Sequence, residues 1–346
     1  MDLYAPVLNL EEFGSKNMLS ALKAEGEHII HLPGRTFEFK IRFSENEDFN
    51  AAAYEVGNKA YINVSITTVM QMYHHALLIM GREELLPEGG QEEAFEGKYR
   101  IEEFETPQIC QYNKKFKQIA FYAGPDNPKR RNIAELITIF GMEFIIFHEL
   151  GHHVGGHLRF LSEKLGLQVL YAHGNGTALN PQVYQMLETD ADAVAIATLL
   201  ESVSTKIDFY RDRFLDGAGK LISHCVMIAI TTAFFLMERE GGAYNINNAG
   251  YLPRDVRFRL VVYIFMDKLS KDYEMCRFSQ NEKQLTETFK ICNTLLGELY
   301  ADKDPERKIL FQESDDVRRY YNEVLVPLWK NIRNELNPYA VIHLPE

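Results

Sequence analysis

Residues 132–152 join a long apolar helical stretch to a terminal run of ionisable side chains, His148-Glu149-Leu150-Gly151-His152. Ile133, Leu136, Ile137, Ile139, Phe140, Phe144 and Phe147 form a broad apolar face at helical spacing, which predicts a helix buried in the core. A buried helix that ends in such groups makes sense as an element that carries a site. Residues four apart share a helix face and lie about 6 Å apart along the axis, so the two imidazoles can converge on one metal ion. Glu149 sits about 100° round the helix from His148, where a carboxylate reaches a metal-held water without itself coordinating. Pro128 and the basic Lys129-Arg130-Arg131 are expected outside the helix start as a solvated lead-in, and Gly155-Gly156 read as its end.

A catalytic metal usually has three protein ligands, which leaves one to find. His157, nine residues beyond His148, lies nearly opposite it on a continuous helix and joins only if the glycine pair turns the chain back. The longer pattern H-E-x-x-H-x-x-G-x-x-H finds its glycine at Gly155 but meets Leu158 at its last position. Glu188 is the better candidate. It opens a helical segment from Gln182 to Glu201, in which Asp192 follows one turn later on the same face while Asp190 points away. Asp192 is placed to accept a hydrogen bond from the non-coordinating nitrogen of His148 or His152 and so fix that ring. Ala191, Ala193, Ala195 and Ala197 keep the second helix thin enough for close approach to the first.

H-E-L-G-H followed by E-x-x-A-D resembles the gluzincin clan of zinc metallopeptidases, in particular the prenyl-protease and HtpX-like enzymes. The likeness covers residues 132–200, with a weaker echo at Tyr251-Leu252-Pro253-Arg254-Asp255-Val256-Arg257, where Tyr251-Leu252 stands in place of the histidine of those enzymes. The resemblance implies one catalytic zinc held by His148, His152 and Glu188, Glu149 as general base and Asp192 behind the ligands. It also implies a zincin-like core and hydrolysis of peptide bonds in a peptide or protein substrate. Those relatives are embedded in membranes; a soluble relative of the phage-exclusion peptidase kind is the closer expectation. His153, His157, His173 and Tyr251 are the candidates for contacting the oxyanion or the substrate, with His173 favoured by its place in a glycine-rich loop between the ligand helices. Two other readings stay open: a non-catalytic or regulatory site with His157 as fourth ligand, and a zinc hydrolase of a non-peptide amide.

The expected fold is α+β and predominantly helical, with a small N-terminal mixed sheet and extra C-terminal helices. Phe37, Phe39, Ile41 and Phe43 alternate with Glu38, Lys40 and Arg42, the period of a half-buried strand. A second strand is read at residues 61–66, leading into a helix through Met80, and residues 81–97 read as a loop. Residues 116–122 are a further strand candidate, read either as an ordinary buried strand or as a sheet edge that holds substrate by strand addition. The zincin-like domain is drawn over residues 1–270, with its sheet within about 28–125 and its metal helices within about 132–202. Residues 271–346 are drawn as a helical extension, and helices are read near 254–272, 281–300 and 315–336.

A formal charge of −12 argues against a nucleic-acid surface. The apolar run Leu221–Met237 has 17 residues interrupted by Ser223, His224, Thr231 and Thr232, too short and mixed for a membrane span, and is expected as a core helix. Residues 1–16 carry Asp2, Glu11 and Glu12 and lack a cationic start before an apolar stretch, so no secretory signal is expected. Cys110, Cys225, Cys276 and Cys292 are scattered singly, which suits reduced thiols and a cytoplasmic location.

Overall fold

The computed structural model describes residues 7–9, 27–32, 35–44, 50–56, 59–81, 110–113, 118–121, 127–165, 181–205, 218–237, 252, 254–271, 290, 294 and 319–341. They form a mostly helical chain with a small mixed sheet, as the hydrophobic patterning predicts. In chain order come β1 (Val7–Asn9), β2 (Glu27–Leu32), β3 (Arg35–Ser44), β4 (Ala51–Val56), β5 (Lys59–Ser65) and α1 (Ile66–Met80). After β6 (Cys110–Asn113) and β7 (Gln118–Phe121) follow α2 (Pro128–Val154), α3 (His157–Leu165), α4 (Pro181–Thr205), α5 (Ala218–Met237) and α6 (Arg254–Lys271). A π-helical turn, Tyr321–Leu325, leads into α7 (Val326–Leu336). The helix expected near 281–300 and the loop after Gly81 lie outside the described residues, apart from residues 290 and 294.

Strands β2, β3, β5 and β4 form one sheet in that order, with β3 and β5 parallel and the other pairs antiparallel. The alternation along β3 is realised as expected: Phe39 and Ile41 are buried, and Glu38 and Arg42 are exposed. β4 stands at one edge. A second, three-stranded sheet has the order β1-β7-β6, antiparallel throughout. This corrects the idea of residues 116–122 as a substrate-holding edge: β7 is the central strand of its sheet, with both edges already paired. The described edge strand that packs against α2 is β4.

Ser65 ends β5 and caps α1, its hydroxyl accepting from the Thr67 N–H at 3.1 Å. α2 starts earlier than its apolar pattern predicts. Asn127 is the cap and accepts from the Lys129 N–H at 2.9 Å, and Pro128 occupies the first helical position. Arg130 is therefore inside the helix and fully buried, donating through Nε to the Met80 carbonyl at the end of α1. The expected solvated lead-in is, at this position, a tie between two core helices, because the cationic group meets the negative end of the α1 dipole.

α5 is the helix read as a core element, and residues 221–236 are buried all round. Its threonines are satisfied internally: Thr231 donates to the Met227 carbonyl at 2.7 Å and Thr232 to that of Ile228 at 2.8 Å. Among the described residues no helix is long and apolar enough to cross a membrane. α1, α2 and α5, with parts of α4 and α6, share one apolar core with the inner face of the four-stranded sheet. A smaller core joins α3, the start of α4 and α7 through Leu158, Leu161, Leu187, Ile332 and Leu336.

Between α2 and α3 the chain reverses at Gly155-Gly156, and Gly156 adopts φ +77°. The C-terminal segment closes on this turn. The Val341 N–H donates to the Val154 carbonyl at 2.7 Å, and a Cβ on Gly156 would lie 2.6 Å from both Ala340 N and the Tyr339 carbonyl carbon. Gly156→Ala therefore meets a left-handed backbone and a backbone clash together, and is expected to lower stability by more than about 1 kcal/mol. Urea unfolding of the two proteins checks this; an unchanged midpoint would show that the C-terminal segment does not hold the turn.

Candidate metal centre

The centre exists because α2 and α4 come unusually close. A Cβ on Gly151 would stand 3.0 Å from Ala191 Cα, 3.2 Å from its carbonyl oxygen and 3.3 Å from Val194 Cβ. Gly151 lies between the two histidines of α2, and Ala191 lies between Glu188 and Asp192 of α4. The smallest residues of both motifs face each other, so the larger polar ones on either side overlap in space.

The overlap brings three donor groups together in a buried cluster. His148 Nε2 and His152 Nε2 are 3.2 Å apart, and the Glu188 carboxylate oxygens lie 3.3 Å from the first and 3.4 Å from the second. A tetrahedral ion with bonds of about 2.0–2.1 Å holds its ligand atoms about 3.3–3.4 Å apart, so these separations fit a small transition-metal ion. Two imidazoles with one carboxylate are also a donor set that such ions favour over calcium or magnesium. His148, His152 and Glu188 can thus hold a metal ion, and the three expected ligands are brought together.

Behind the ligands stand two different supports. His148 Nδ1 is 2.9 Å from Asp192 Oδ1, so the imidazole donates outward to a carboxylate and keeps Nε2 for the metal. Asp192 is in turn gripped by Arg257 of α6, whose Nε and Nη2 donate to its two oxygens at 2.7 and 2.8 Å. The same Nη2 lies 3.5 Å from Glu188 Oε2. On the other side His152 Nδ1 is 3.0 Å from His157 Nδ1, and His157 Nε2 is 3.1 Å from Asp190 Oδ2. Asp190 does face away from the three donors along α4, but not into solvent. It is buried against His157, which the glycine turn has brought back beside the site.

Electrostatics separate the two imidazoles. Burial pushes His148 down, but the hydrogen bonds and charges of Asp192 and Glu188 outweigh it and hold the ring up to about 10 when no metal is bound. His152 is kept well below its ordinary range, first by burial and then by the neighbouring imidazoles. Burial also works against ionised Asp192, yet the charge and fork of Arg257 keep its carboxyl low.

Glu149 is buried beside the first ligand and stays outside the three-donor cluster. Its carboxyl accepts from the Ala53 N–H of β4. Burial, the largest influence, and the Glu188 charge push it up; His148, Ala53 and Arg257 pull it down, and the balance lies at about 7. Ala53 pairs with Ile62 across the ladder. Because its N–H reaches Glu149, the pair is of the non-hydrogen-bonded kind, and the main-chain groups of Ala51 and Glu55 point the same way.

His153 is directed at the sheet. Its Nε2 is 2.9 Å from the Tyr61 carbonyl and its Nδ1 3.7 Å from Glu55 Oε1. Glu55 is lowered chiefly by the His153 ring beside it, against burial, with help from Arg159. His153 thus ties α2 to the sheet. His157 is present as the partner of His152, while His173 and Tyr251 lie outside the described residues. Three contributors were not foreseen: Ala53, Asp190 as a partner of His157, and Arg257 as the clamp on Asp192. Only Arg257 carried a signal, as the arginine closing the segment 251–257.

Comparison with protein-family models, with curated proteins and with solved structures finds no match for this chain.

Arg257→Met leaves the buried Asp192 carboxylate without its strongest partner and is expected to cost about 3 kcal/mol of stability. Adding Asp192→Leu removes the stranded charge and recovers part of the loss. Chemical unfolding of the single and double variants reads both effects; a double variant no more stable than the single would show that the pair is not what holds this corner together.

Proposed function

We propose that this chain is a zinc-dependent peptidase of the gluzincin type, with the ion held by His148, His152 and Glu188. The observation that carries this reading is a buried set of three donors among the described residues, with a further carboxyl, Glu149, beside the first ligand and outside the set. Structural zinc sites are closed by four protein ligands, whereas catalytic ones keep a place for water or substrate. When bound, the ion supplies Lewis acidity for a carbonyl oxygen and a water that can lose its proton near neutral pH.

Glu149 provides the proton traffic. One carboxylate oxygen takes the proton of the attacking water, and the same group then delivers it to the leaving amide nitrogen. Burial, the largest influence, raises the Glu149 carboxyl, and a carboxyl so raised is suited to give its proton up again as well as to take it. The Ala53 N–H holds the carboxyl against β4 and limits its rotation. Asp192 and Arg257 keep His148 facing inward, so the donors do not have to be ordered when the ion arrives.

Peptide recognition follows from the same strand. The main-chain groups of Ala51, Ala53 and Glu55 turn away from β5, and among the described residues β4 pairs with no other strand. An extended polypeptide added along this edge gains main-chain hydrogen bonds and lies directly beside Glu149. That arrangement favours a polypeptide over a small amide.

Elemental analysis of the purified protein is expected to find one zinc per chain. Glu188→Ala should weaken zinc binding by more than the roughly 10–100-fold typical of groups behind the ligands. Glu149→Gln should keep the zinc and lose about 10²–10⁴-fold in cleavage of unfolded polypeptides. Polypeptide cleavage that survives Glu149→Gln overturns the mechanism; hydrolysis of small amides alone moves the substrate to a non-peptide amide.

A further inference from the structure

His152 is backed by a neighbour of a different kind from the one behind His148. We infer that His157 and Asp190 are positioning residues that select the metal-binding tautomer of His152, an inference that rests on the metal reading above. His152, His157 and Asp190 are all buried, so the polar atoms between them must satisfy one another. With both rings neutral and His152 Nε2 kept for the metal, their geometry permits one assignment of protons.

Two Nδ1 atoms 3.0 Å apart can share only one proton if both rings are neutral. If His152 gives its Nε2 lone pair to the metal, its single ring proton must sit on Nδ1 and be donated to His157. His157 then accepts at Nδ1 and carries its own proton on Nε2. That proton points at Asp190 Oδ2, 3.1 Å away, where a carboxylate oxygen accepts it. The cause lies at the Asp190 end of the relay. Asp190 forces the proton of His157 onto Nε2, His157 therefore presents a lone pair at Nδ1, and that lone pair draws the proton of His152 away from its metal-facing nitrogen.

The arrangement is built into the backbone. A Cβ on Gly155 would lie 2.7 Å from His157 Nε2, so the ring fills space that only glycine leaves. Gly156 takes φ +77° and is packed against Tyr339 and Ala340, which fixes the direction from which His157 returns. Asp190 follows Glu188 by two residues on α4, about 200° round the helix, so one element places a ligand and the anchor of the relay on different sides.

Asp190→Asn is the discriminating substitution because it preserves shape. An amide can turn its N–H₂ toward His157 Nε2, which then accepts. The proton of His157 moves to Nδ1, and His152 is driven to protonate Nε2, the atom needed for the metal. The loss of a correct tautomer on Asp→Asn replacement behind a histidine is known from serine proteases.

The test combines zinc affinity, measured against a competing chelator, with nitrogen-15 spectra of histidine-labelled protein. In the wild type, His157 should carry its proton on Nε2 and zinc-loaded His152 on Nδ1; the opposite assignment overturns the relay without recourse to any variant. In Asp190→Asn the proton of His157 should appear on Nδ1, with zinc bound about 10–100-fold more weakly. An unchanged zinc affinity, or a weakened one with the tautomer unmoved, overturns the inference, the latter because it marks a merely structural effect. Wild-type protein that binds no zinc instead removes the metal reading itself, which is a different result from a wild type that binds zinc and a variant that binds it equally well.

Discussion

The contact between Gly151 and Ala191 is the constraint on which the rest of the centre depends. Donor atoms on two helices meet only if the axes approach closely, and side chains of ordinary size at the crossing would hold them apart. A single methyl group on Gly151 would already be at 3.0 Å from the opposite Cα. The large apolar core is what makes the close approach permanent. α2 is packed on several sides, by α1, α5 and the sheet as well as by α4. A helix so enclosed cannot move away to relieve crowding at one point, so the small residues at the crossing carry the positioning.

Support for the two imidazoles then comes from elements remote in sequence. Asp192 alone would leave a buried carboxylate satisfied by one ring nitrogen; Arg257 supplies the remaining donors from α6. His157 comes from beyond the end of the metal helix itself, through a turn against which the C-terminal segment packs. The site is therefore tied to α6 and to the chain near residue 340, although its three donors lie on α2 and α4.

What could be read from the sequence was local. The spacing of His148 with His152, and of Glu188 with Asp192, is set by the geometry of a single helix, so both pairs were legible and both are found on shared faces. The alternation along β3 was legible for the same reason. β4 was not. Its residues Ala51-Ala52-Ala53-Tyr54-Glu55-Val56 show no alternation, and alanine is a poor strand former, so the strand is held by its pairing with β5 and not by its own preference. The helical wheel sent Asp190 away from the three donors correctly, but could not say what would meet it, since the answer depends on a left-handed glycine fourteen residues beyond Met142 and on a chain reversal. The burial of Arg130 had a readable cause that apolar periodicity obscured: Asn127 and Pro128 form a cap and a first helical residue, which put the arginine within the first turn.

Charge gives an argument for a cation that does not depend on the shape of the donor set. Glu149, Glu188, Asp190 and Asp192 are all buried within the same region, and Arg257 is the guanidinium found against Glu188 and Asp192. Enclosing an excess of carboxyl groups is unfavourable unless positive charge is supplied or protons are taken up. Both responses are visible in the metal-free protein: His148 holds its proton up to about 10, and Glu149 is lifted to about 7. The extra proton on His148 sits on Nε2, the nitrogen that faces Glu188, which makes it a stand-in for positive charge at the centre of the cluster. A divalent ion at the same point supplies more charge and leaves the imidazole neutral, so its binding and the release of that proton are two sides of one equilibrium. The acidic surroundings that are costly without an ion would thus be relieved by one.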